Sequence, residues 1–136
     1  MKKQNFNLSK NIDDFKDFVL QFEHFCEVNN MLSISMPMTL VLEELYTNTI
    51  THGAKDGRNI DIEIDLNIIN KEFICIYKDN GVPFNVLEMA GPDLTSSIEN
   101  REVGGLGLHY VKVLTDSATY EHLGNNNVIK VTKKLI

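Results

Sequence analysis

The chain has 136 residues, 43% of them hydrophobic and 24% charged, which is the composition of an ordinary globular protein with one hydrophobic core, so we expect a single domain. It contains no uninterrupted apolar run of roughly eighteen residues, which argues against a membrane-spanning helix, and no apolar segment follows its basic start, so we expect a cytoplasmic protein. A formal net charge of −6 argues against broad electrostatic binding to nucleic acid.

The N-terminal part of the chain predicts a short strand followed by a helix. Residues 5–8 are a weak candidate for an edge strand, and either Ser9 or Asn11 can cap the helix that follows. Apolar residues recur every three or four positions over 12–28, which is typical of a helix with one buried face.

A second helix begins near Pro37, a favourable first helical position, and runs to His52, with Gly53 as its stop. Glu44, Asn48 and His52 are each four residues apart and therefore share one helix face. That face either binds a metal ion and supplies a general base, or is the solvated polar side of the helix. Apolar residues surround the row, which predicts a buried helix whose carboxylate must be paired or used, whereas His52 is explained more simply as a helix-end histidine.

The middle of the chain predicts an antiparallel hairpin. Apolar and polar residues alternate over 60–68, and a second strand over 72–77 follows a tight turn. The turn Asp79-Asn80-Gly81 comes next. A carboxylate at Asp79 could accept a hydrogen bond from a ligand amine, and Gly81 could let the backbone approach a ligand or take a positive φ. A plain turn explains the same letters.

A long irregular segment and a glycine-rich helix start follow the hairpin. Residues 82–103 have no steady period and predict a lid. Gly104, Gly105 and Gly107 open a third helix through Leu114, and exposed backbone N–H groups there would form an anion site suited to phosphates. A flexible loop end is the alternative. The segment matches neither the P-loop nor the dinucleotide-binding fingerprint.

The order of predicted elements indicates the fold class. Two last strands over 118–123 and 128–135 complete a series of strand, two helices, hairpin, loop, helix and hairpin. This order predicts an α+β fold, a two-layer α/β sandwich whose mostly antiparallel sheet is covered on one face by about three helices.

The three motifs also occur in a recognisable sequence order. They are E-x-x-x-N-x-x-x-H-G at 44–53, D-x-G-x-x-F at 79–84 and G-G-L-G-L at 104–108. This order and spacing resembles the N, G1 and G2 boxes of the GHKL (histidine-kinase-like) ATPase superfamily. Over essentially its full length the chain is most similar to bacterial anti-sigma factors that are serine/threonine-protein kinases.

The resemblance implies a role for each matching residue. Asn48 would supply its side-chain oxygen to Mg²⁺, and Glu44 would be the general base for the attacking hydroxyl. Asp79 would bind the adenine amine of ATP, with Gly81 letting the base sit close. A lid formed by residues 85–103 would cover the phosphates. The ATP-binding residues of the third motif would be Gly104, Gly105, Leu106, Gly107 and Leu108.

The resemblance further implies a Mg-ATP-dependent serine kinase that phosphorylates a STAS-like anti-anti-sigma protein, with a sigma factor as second partner and a homodimer as the assembly. The chain departs from the family in two places, and the first keeps an alternative open, a non-catalytic module that binds nucleotide and regulates a partner by sequestration. Many relatives have a basic residue directly before the glycine motif, where this chain has Val103 and Gly104, with Arg101 as the nearest arginine. Asn127 ends an Asn-Asn-Asn run where many relatives have Gly and Thr.

Overall fold

One antiparallel sheet of five strands organises the fold. The structure, a computed structural model, describes residues 2–88 and 111–135. The strands are β1 (Lys3–Leu8), β2 (Ile62–Ile69), β3 (Glu72–Asp79), β4 (Ser117–Leu123) and β5 (Asn126–Lys134), and the helices are α1 (Ile12–Val28) and α2 (Ser35–Asn48). The strand order is β1-β2-β3-β5-β4, and every neighbouring pair is antiparallel. Residues 111–114 are helical as well. The predicted α+β class is therefore confirmed.

The N-terminal elements follow the sequence prediction closely. β1 is an edge strand as expected, although it begins at Lys3, two residues before the predicted start. The bounds of α1 are those predicted, and its cap is Asn11, whose side chain accepts a hydrogen bond from the Asp13 N–H at 3.0 Å. The other candidate, Ser9, instead donates its hydroxyl to the Asp14 carboxylate at 2.7 Å.

The predicted bounds of α2 are wrong at both ends. The helix begins at Ser35. Pro37 is its third residue, which is tolerated because N–H groups in the first turn have no helical partner. At its other end α2 stops at Asn48 and continues as one π-helical turn, Thr49–Gly53, in which the Ala54 N–H donates to the Thr49 carbonyl at 3.0 Å. Such turns are frequent at functional sites.

The hydrophobic core lies between the helices and one face of the sheet. Phe22 of α1 is fully buried and packs on Phe73 of β3, with ring centroids 5.9 Å apart. The alternation predicted for β2 is confirmed, since Ile64 and Leu66 point into this core while Glu63 lies on the other face. No helix in the described ranges is long and apolar enough to cross a membrane.

The strand register brings two polar residues together at one end of the sheet. β3 extends through Asp79, which was predicted to begin a turn, and β5 begins at Asn126, two residues before the predicted start. As a result Asp79 lies directly opposite Asn127 in the β3–β5 pair. This end of the sheet meets the C-terminal end of α2 and the π-helical turn, and the candidate site lies there.

Candidate functional site

A buried carboxylate and a buried amide are paired on α2. Glu44 is 8% exposed and Asn48 is 7% exposed. The Asn48 Nδ2 donates to the Glu44 carbonyl oxygen at 2.8 Å and to its Oε1 at 3.0 Å. Both hydrogens of the amide are thereby used. The Asn48 Oδ1 receives no hydrogen bond from residues 2–88 or 111–135, so none of the described residues competes with a ligand for this oxygen.

The surroundings of Glu44 favour a role in proton transfer. Burial raises the pKa of its carboxyl above the ordinary value of 4.5, the hydrogen bond from Asn48 works in the opposite direction, and the negative charge of Glu43 raises the pKa further. In the described part of the chain no lysine or arginine forms an ion pair with it. A carboxylate whose pKa is raised in this way is a better proton acceptor near neutral pH.

A second buried carboxylate, Asp79, lies at the end of β3 and is oriented by three donors. Its Oδ1 accepts from the Gly81 N–H at 2.9 Å and from the Asn127 Nδ2 at 3.0 Å. Its Oδ2 accepts from the Thr49 hydroxyl at 3.0 Å. Since a carboxylate has about four acceptor positions, one remains for a ligand donor.

Gly81 is required for a reason that the sequence did not reveal. Its φ is not positive, and among the described glycines only Gly57 and Gly124 have a positive φ. A Cβ at Gly81 would lie only 2.6 Å from the Cα of Gly53 and 2.9 Å from the Asp79 Oδ1. The Val82 N–H also donates to the Gly53 carbonyl at 2.8 Å. The glycine therefore permits the π-helical turn and the segment after β3 to meet backbone to backbone.

Thr49 is a site residue that sequence reasoning missed. Besides its bond to Asp79, its hydroxyl lies 2.8 Å from the Tyr77 hydroxyl and 3.0 Å from the Leu45 carbonyl oxygen. It thus connects the end of α2 to the end of β3. Its position directly after Asn48 was the only sequence signal for a role in the site. A threonine in a helix usually bonds the backbone carbonyl of the preceding turn, so the position alone does not indicate such a role.

Asn127 was also missed, because the prediction placed it in a turn. It lies in β5, is buried, and donates to Asp79 and to the Val82 carbonyl oxygen at 3.1 Å. Its Oδ1 accepts from the Phe84 N–H at 3.2 Å and from the Tyr120 hydroxyl at 2.5 Å. The side chain therefore holds Asp79, the segment after β3 and the edge strand β4 in one arrangement.

A small pocket with apolar walls lies among these groups, and Asn48, Thr49, Asp79 and Asn127 line it while Glu44 does not. The space within it is about 20 Å³, which is room for about one water molecule. Its lining residues include Leu45, Asn48, Thr49, Gly53, Asp79, Phe84, Val86, Asn127 and Ile129. His52 is not among them, but its ring stacks on Phe84 with centroids 4.6 Å apart, so it supports the pocket wall. Apolar walls with a few fixed polar groups are typical of small-molecule sites, but this space is far smaller than the roughly 300–1,000 Å³ of a typical ligand pocket.

Several predicted residues lie outside the described ranges. These are the glycine-rich positions Gly104, Gly105, Leu106, Gly107 and Leu108, together with Arg101 and most of the predicted lid. Within the described residues no three His, Cys, Asp or Glu side chains form a cluster that could hold a metal ion.

Comparison with known proteins identifies the family. Residues 32–133 match the family model described as the histidine kinase-like ATPase domain. The chain belongs to this family. This range contains α2, the π-helical turn, β3 and β5, and therefore every pocket residue named above.

Individual relatives of this ATPase domain are anti-sigma factors and a protein kinase. An anti-sigma F factor of Clostridium kluyveri is 30% identical over 94 residues, which are 69% of this chain and 66% of that protein. An anti-sigma F factor of Clostridium novyi is 26% identical over 93 residues, 68% of this chain and 65% of that protein. The serine/threonine-protein kinase BtrW of Bordetella bronchiseptica is 23% identical over 95 residues, 70% of this chain and 67% of that protein. The match thus spans about two thirds of each relative.

Membership of an ATPase domain family implies that the chain binds ATP, typically with Mg²⁺. The residues present fit both groups. Asp79 keeps an acceptor position toward an apolar pocket, which suits the amine of a purine base. The Asn48 Oδ1 is a hard oxygen ligand of the kind that Mg²⁺ prefers, and Mg²⁺ usually takes few protein ligands beside water and phosphate.

Proposed function

We propose that this ATPase domain is an anti-sigma-type regulator with Mg-ATP-dependent serine kinase activity. Its substrate would be a serine of a STAS-like anti-anti-sigma protein, and its second partner a sigma factor. Relatives named anti-sigma F factor and serine/threonine-protein kinase support this proposal. The observation that carries it is the buried Glu44–Asn48 pair, because it combines a proton acceptor with an amide oxygen that no described residue bonds, one helical turn apart.

In this proposal the chain's own residues divide the work of phosphoryl transfer. Glu44 accepts the proton of the attacking serine hydroxyl, and its raised pKa suits that task. Asn48 would hold Mg²⁺ through its Oδ1, and Asp79 would accept a hydrogen bond from the adenine amine. By the family resemblance, the amides of 104–108, which lie outside the described residues, would bind the phosphates. Positioning and charge stabilisation of this kind supply most of the catalysis in phosphoryl transfer.

Partner identity is open to a direct experiment. The tagged chain is used to capture proteins from its native cell extract with and without Mg-ATP, and each captured protein is then incubated with the chain and γ-labelled ATP. We expect a sigma factor and a small protein that becomes labelled on serine. If the chain binds ATP and captures a sigma factor but labels no captured protein, regulation by sequestration replaces the kinase.

Two variants test the assigned roles once a substrate is known. We expect Asn48→Ala to abolish Mg-dependent ATP binding in calorimetry. We expect Glu44→Gln to bind Mg-ATP as the wild type does while phosphoryl transfer falls by about 10²–10⁴-fold, the usual contribution of general base catalysis. Transfer at the wild-type rate by the glutamine variant would show that Glu44 is not the base.

A further inference from the structure

The Asn127 side chain uses all of its hydrogen-bonding positions within the protein. Its Nδ2 donates to the Asp79 Oδ1 at 3.0 Å and to the Val82 carbonyl oxygen at 3.1 Å. Its Oδ1 accepts from the Phe84 N–H and from the Tyr120 hydroxyl. An amide side chain has two donor hydrogens and two acceptor lone pairs. Asn127 therefore has no position left for a ligand and can influence one only through Asp79.

The orientation of this amide is fixed by its backbone partners. The Phe84 N–H can only donate, so it must face the Asn127 oxygen, whereas the Val82 carbonyl can only accept and must face the nitrogen. Turning the amide over would set donor against donor and acceptor against acceptor. Because Asn127 is only 4% exposed, water is kept from replacing these partners. The Asn127 nitrogen is therefore held against Asp79.

This bond completes one oxygen of the Asp79 carboxylate. Oδ1 accepts from Asn127 and from the Gly81 N–H, and a carboxylate oxygen has about two acceptor positions. Oδ2 accepts from the Thr49 hydroxyl. Among the described residues no further donor reaches Asp79, so a single acceptor position, on Oδ2, remains for a ligand.

The space beside the carboxylate agrees with this count. It is about 20 Å³, which admits one group of the size of a water molecule. Asp79 and Asn127 both line it, so the bond between them is part of its wall. An exocyclic amine is about as large as a water molecule. The size of the space and the number of acceptors therefore both admit one donor group.

The two common purine bases present different donors to such a carboxylate. Adenine has one donor group, its 6-amino group, beside an acceptor nitrogen. Guanine has two neighbouring donors, N1–H and the 2-amino group, and a carboxylate pairs with both only when each of its oxygens has a free acceptor position. A buried N–H group without a partner weakens binding, and a site discriminates strongly against a ligand that leaves one unpaired.

We propose that Asn127 is a positioning residue that makes the site select adenine over guanine. It occupies the Asp79 Oδ1, so that Oδ2 alone can accept from the base. This role rests on the proposed binding of ATP and adds to it a residue that determines which base is accepted.

Inosine triphosphate (ITP) isolates the second donor, because its base is guanine without the 2-amino group. ATP, ITP and GTP compete with a fluorescent ATP analogue for the full wild-type chain in the presence of Mg²⁺. We expect GTP to bind at least about tenfold more weakly than ITP, since its additional amine finds no acceptor. GTP that bound as tightly as ITP, or more tightly, would overturn the proposal.

Asn127→Leu tests the residue itself. Leucine is similar in size but has no donor, so the Asp79 Oδ1 regains an acceptor position. The loss of the other Asn127 bonds weakens the binding of every nucleotide, but a purely structural role would weaken GTP and ITP alike. We expect the ratio of the GTP to the ITP dissociation constant to fall by about tenfold. The same ratio in variant and wild type would refute the role of Asn127.

Tyr120→Phe is the matched control for the leucine variant. It removes a bond at the other end of the same amide and leaves the Asn127 nitrogen on Asp79. The ratio of the two dissociation constants should therefore equal that of the wild type. A ratio that fell in Tyr120→Phe as far as in Asn127→Leu would show that loosening the site, and not freeing Oδ1, admits guanine.

The ATP measurement separates this role from the proposed function. If ATP does not bind the wild-type chain, the proposed function fails and the role of Asn127 fails with it. If ATP binds but ITP does not compete, the site distinguishes bases at their 6-position and not by the number of donors, and the role of Asn127 alone is overturned. Circular dichroism shows whether Asn127→Leu folds, and the wild-type comparison of GTP with ITP remains decisive if it does not.

Discussion

The two buried carboxylates of the candidate site lie in contrasting environments. Asp79 accepts hydrogen bonds from a backbone N–H, an amide and a hydroxyl, whereas Glu44 accepts from one amide of its own helix. Burial raises the pKa of Glu44. A carboxylate fixed by many donors is suited to recognising a ligand by geometry, and one with a single donor is suited to exchanging a proton. The difference therefore predicts which carboxylate binds and which reacts.

The largest effect, a loss of ATP affinity, is expected from Asp79→Asn. The asparagine keeps an oxygen for Gly81 and Asn127, and its NH₂ group can replace Oδ2 because Thr49 can accept as well as donate. The fold should therefore be retained, with the free energy of unfolding changed by about 1 kcal/mol. The negative charge is lost, however, and an adenine amine would meet a second donor. We expect ATP affinity to fall at least about a hundredfold in calorimetry.

An exposed carboxylate supplies the control for this measurement. Asp61→Asn makes the same chemical change directly before β2, where the side chain is exposed, and should leave ATP affinity unaltered. If both variants bound ATP like the wild type, Asp79 would have no part in recognising the base.

The next effect in size concerns the backbone contact that brings Thr49 and Asp79 together. Gly81→Ala would place a Cβ against the Gly53 Cα, and something in the backbone must shift. We expect the free energy of unfolding to fall by about 1–3 kcal/mol and ATP affinity to fall with it. Gly57→Ala is the comparison, because it has open space but a φ of 81°. It should lose about 1–2 kcal/mol of stability and no affinity.

The sequence anticipated local features of the fold better than features that depend on distant contacts. The bounds of α1 and its Asn11 cap follow from periodicity and capping within one segment. The start of α2 was misplaced because Pro37 is compatible with any position in the first turn. The roles of Thr49 and Asn127 depend on the β3–β5 register and on the approach of α2 to that sheet end, which no local pattern specifies.

Candidate site residues divide in the same way. Glu44 and Asn48 could be paired from helical spacing alone, because both are on one helix. Gly81 was singled out for its lack of a side chain, but the contact with Gly53 joins segments that are separated in sequence by β2 and β3. Residue type thus indicated where conformation is restricted, and the three-dimensional structure was needed to show what restricts it.

A smaller effect, a gain in stability instead of a loss, is expected from Glu44→Gln. Folding raises the pKa of Glu44, so the protonated form is favoured in the folded chain. Its contribution to stability is full below the ordinary pKa of 4.5 and is lost as the pH rises through the folded value. Glutamine resembles the protonated form at every pH. We therefore expect the variant and the wild type to have similar Tm values near pH 4, and the variant to have the higher Tm at about pH 7.

The exposed neighbour Glu43 provides the matched control for that measurement. Glu43→Gln removes the same charge from the same helix but not from a buried position. The negative charge of Glu43 contributes to the raised pKa of Glu44. Glu43→Gln should therefore show a weaker gain in Tm than Glu44→Gln over the same pH range. A lower Tm for Glu44→Gln at neutral pH would show that the charged form of Glu44 is stabilised in the fold, and the contrast with Asp79 would then be lost.

The smallest effect is expected at Tyr120, which is connected to Asp79 through Asn127. Tyr120→Phe removes the hydroxyl that donates to the Asn127 Oδ1, but that oxygen still accepts from the Phe84 N–H and the Asn127 amide still donates to Asp79. The loss should be about 1 kcal/mol of stability and a reduction of ATP affinity of less than about tenfold. Tyr46→Phe removes a bond of 3.4 Å to the Ser9 carbonyl outside the pocket and should leave ATP affinity unchanged. If Tyr120→Phe weakened ATP binding as much as Asp79→Asn does, the orientation of Asp79 would depend on the whole chain of bonds from β4 and not on its three direct donors.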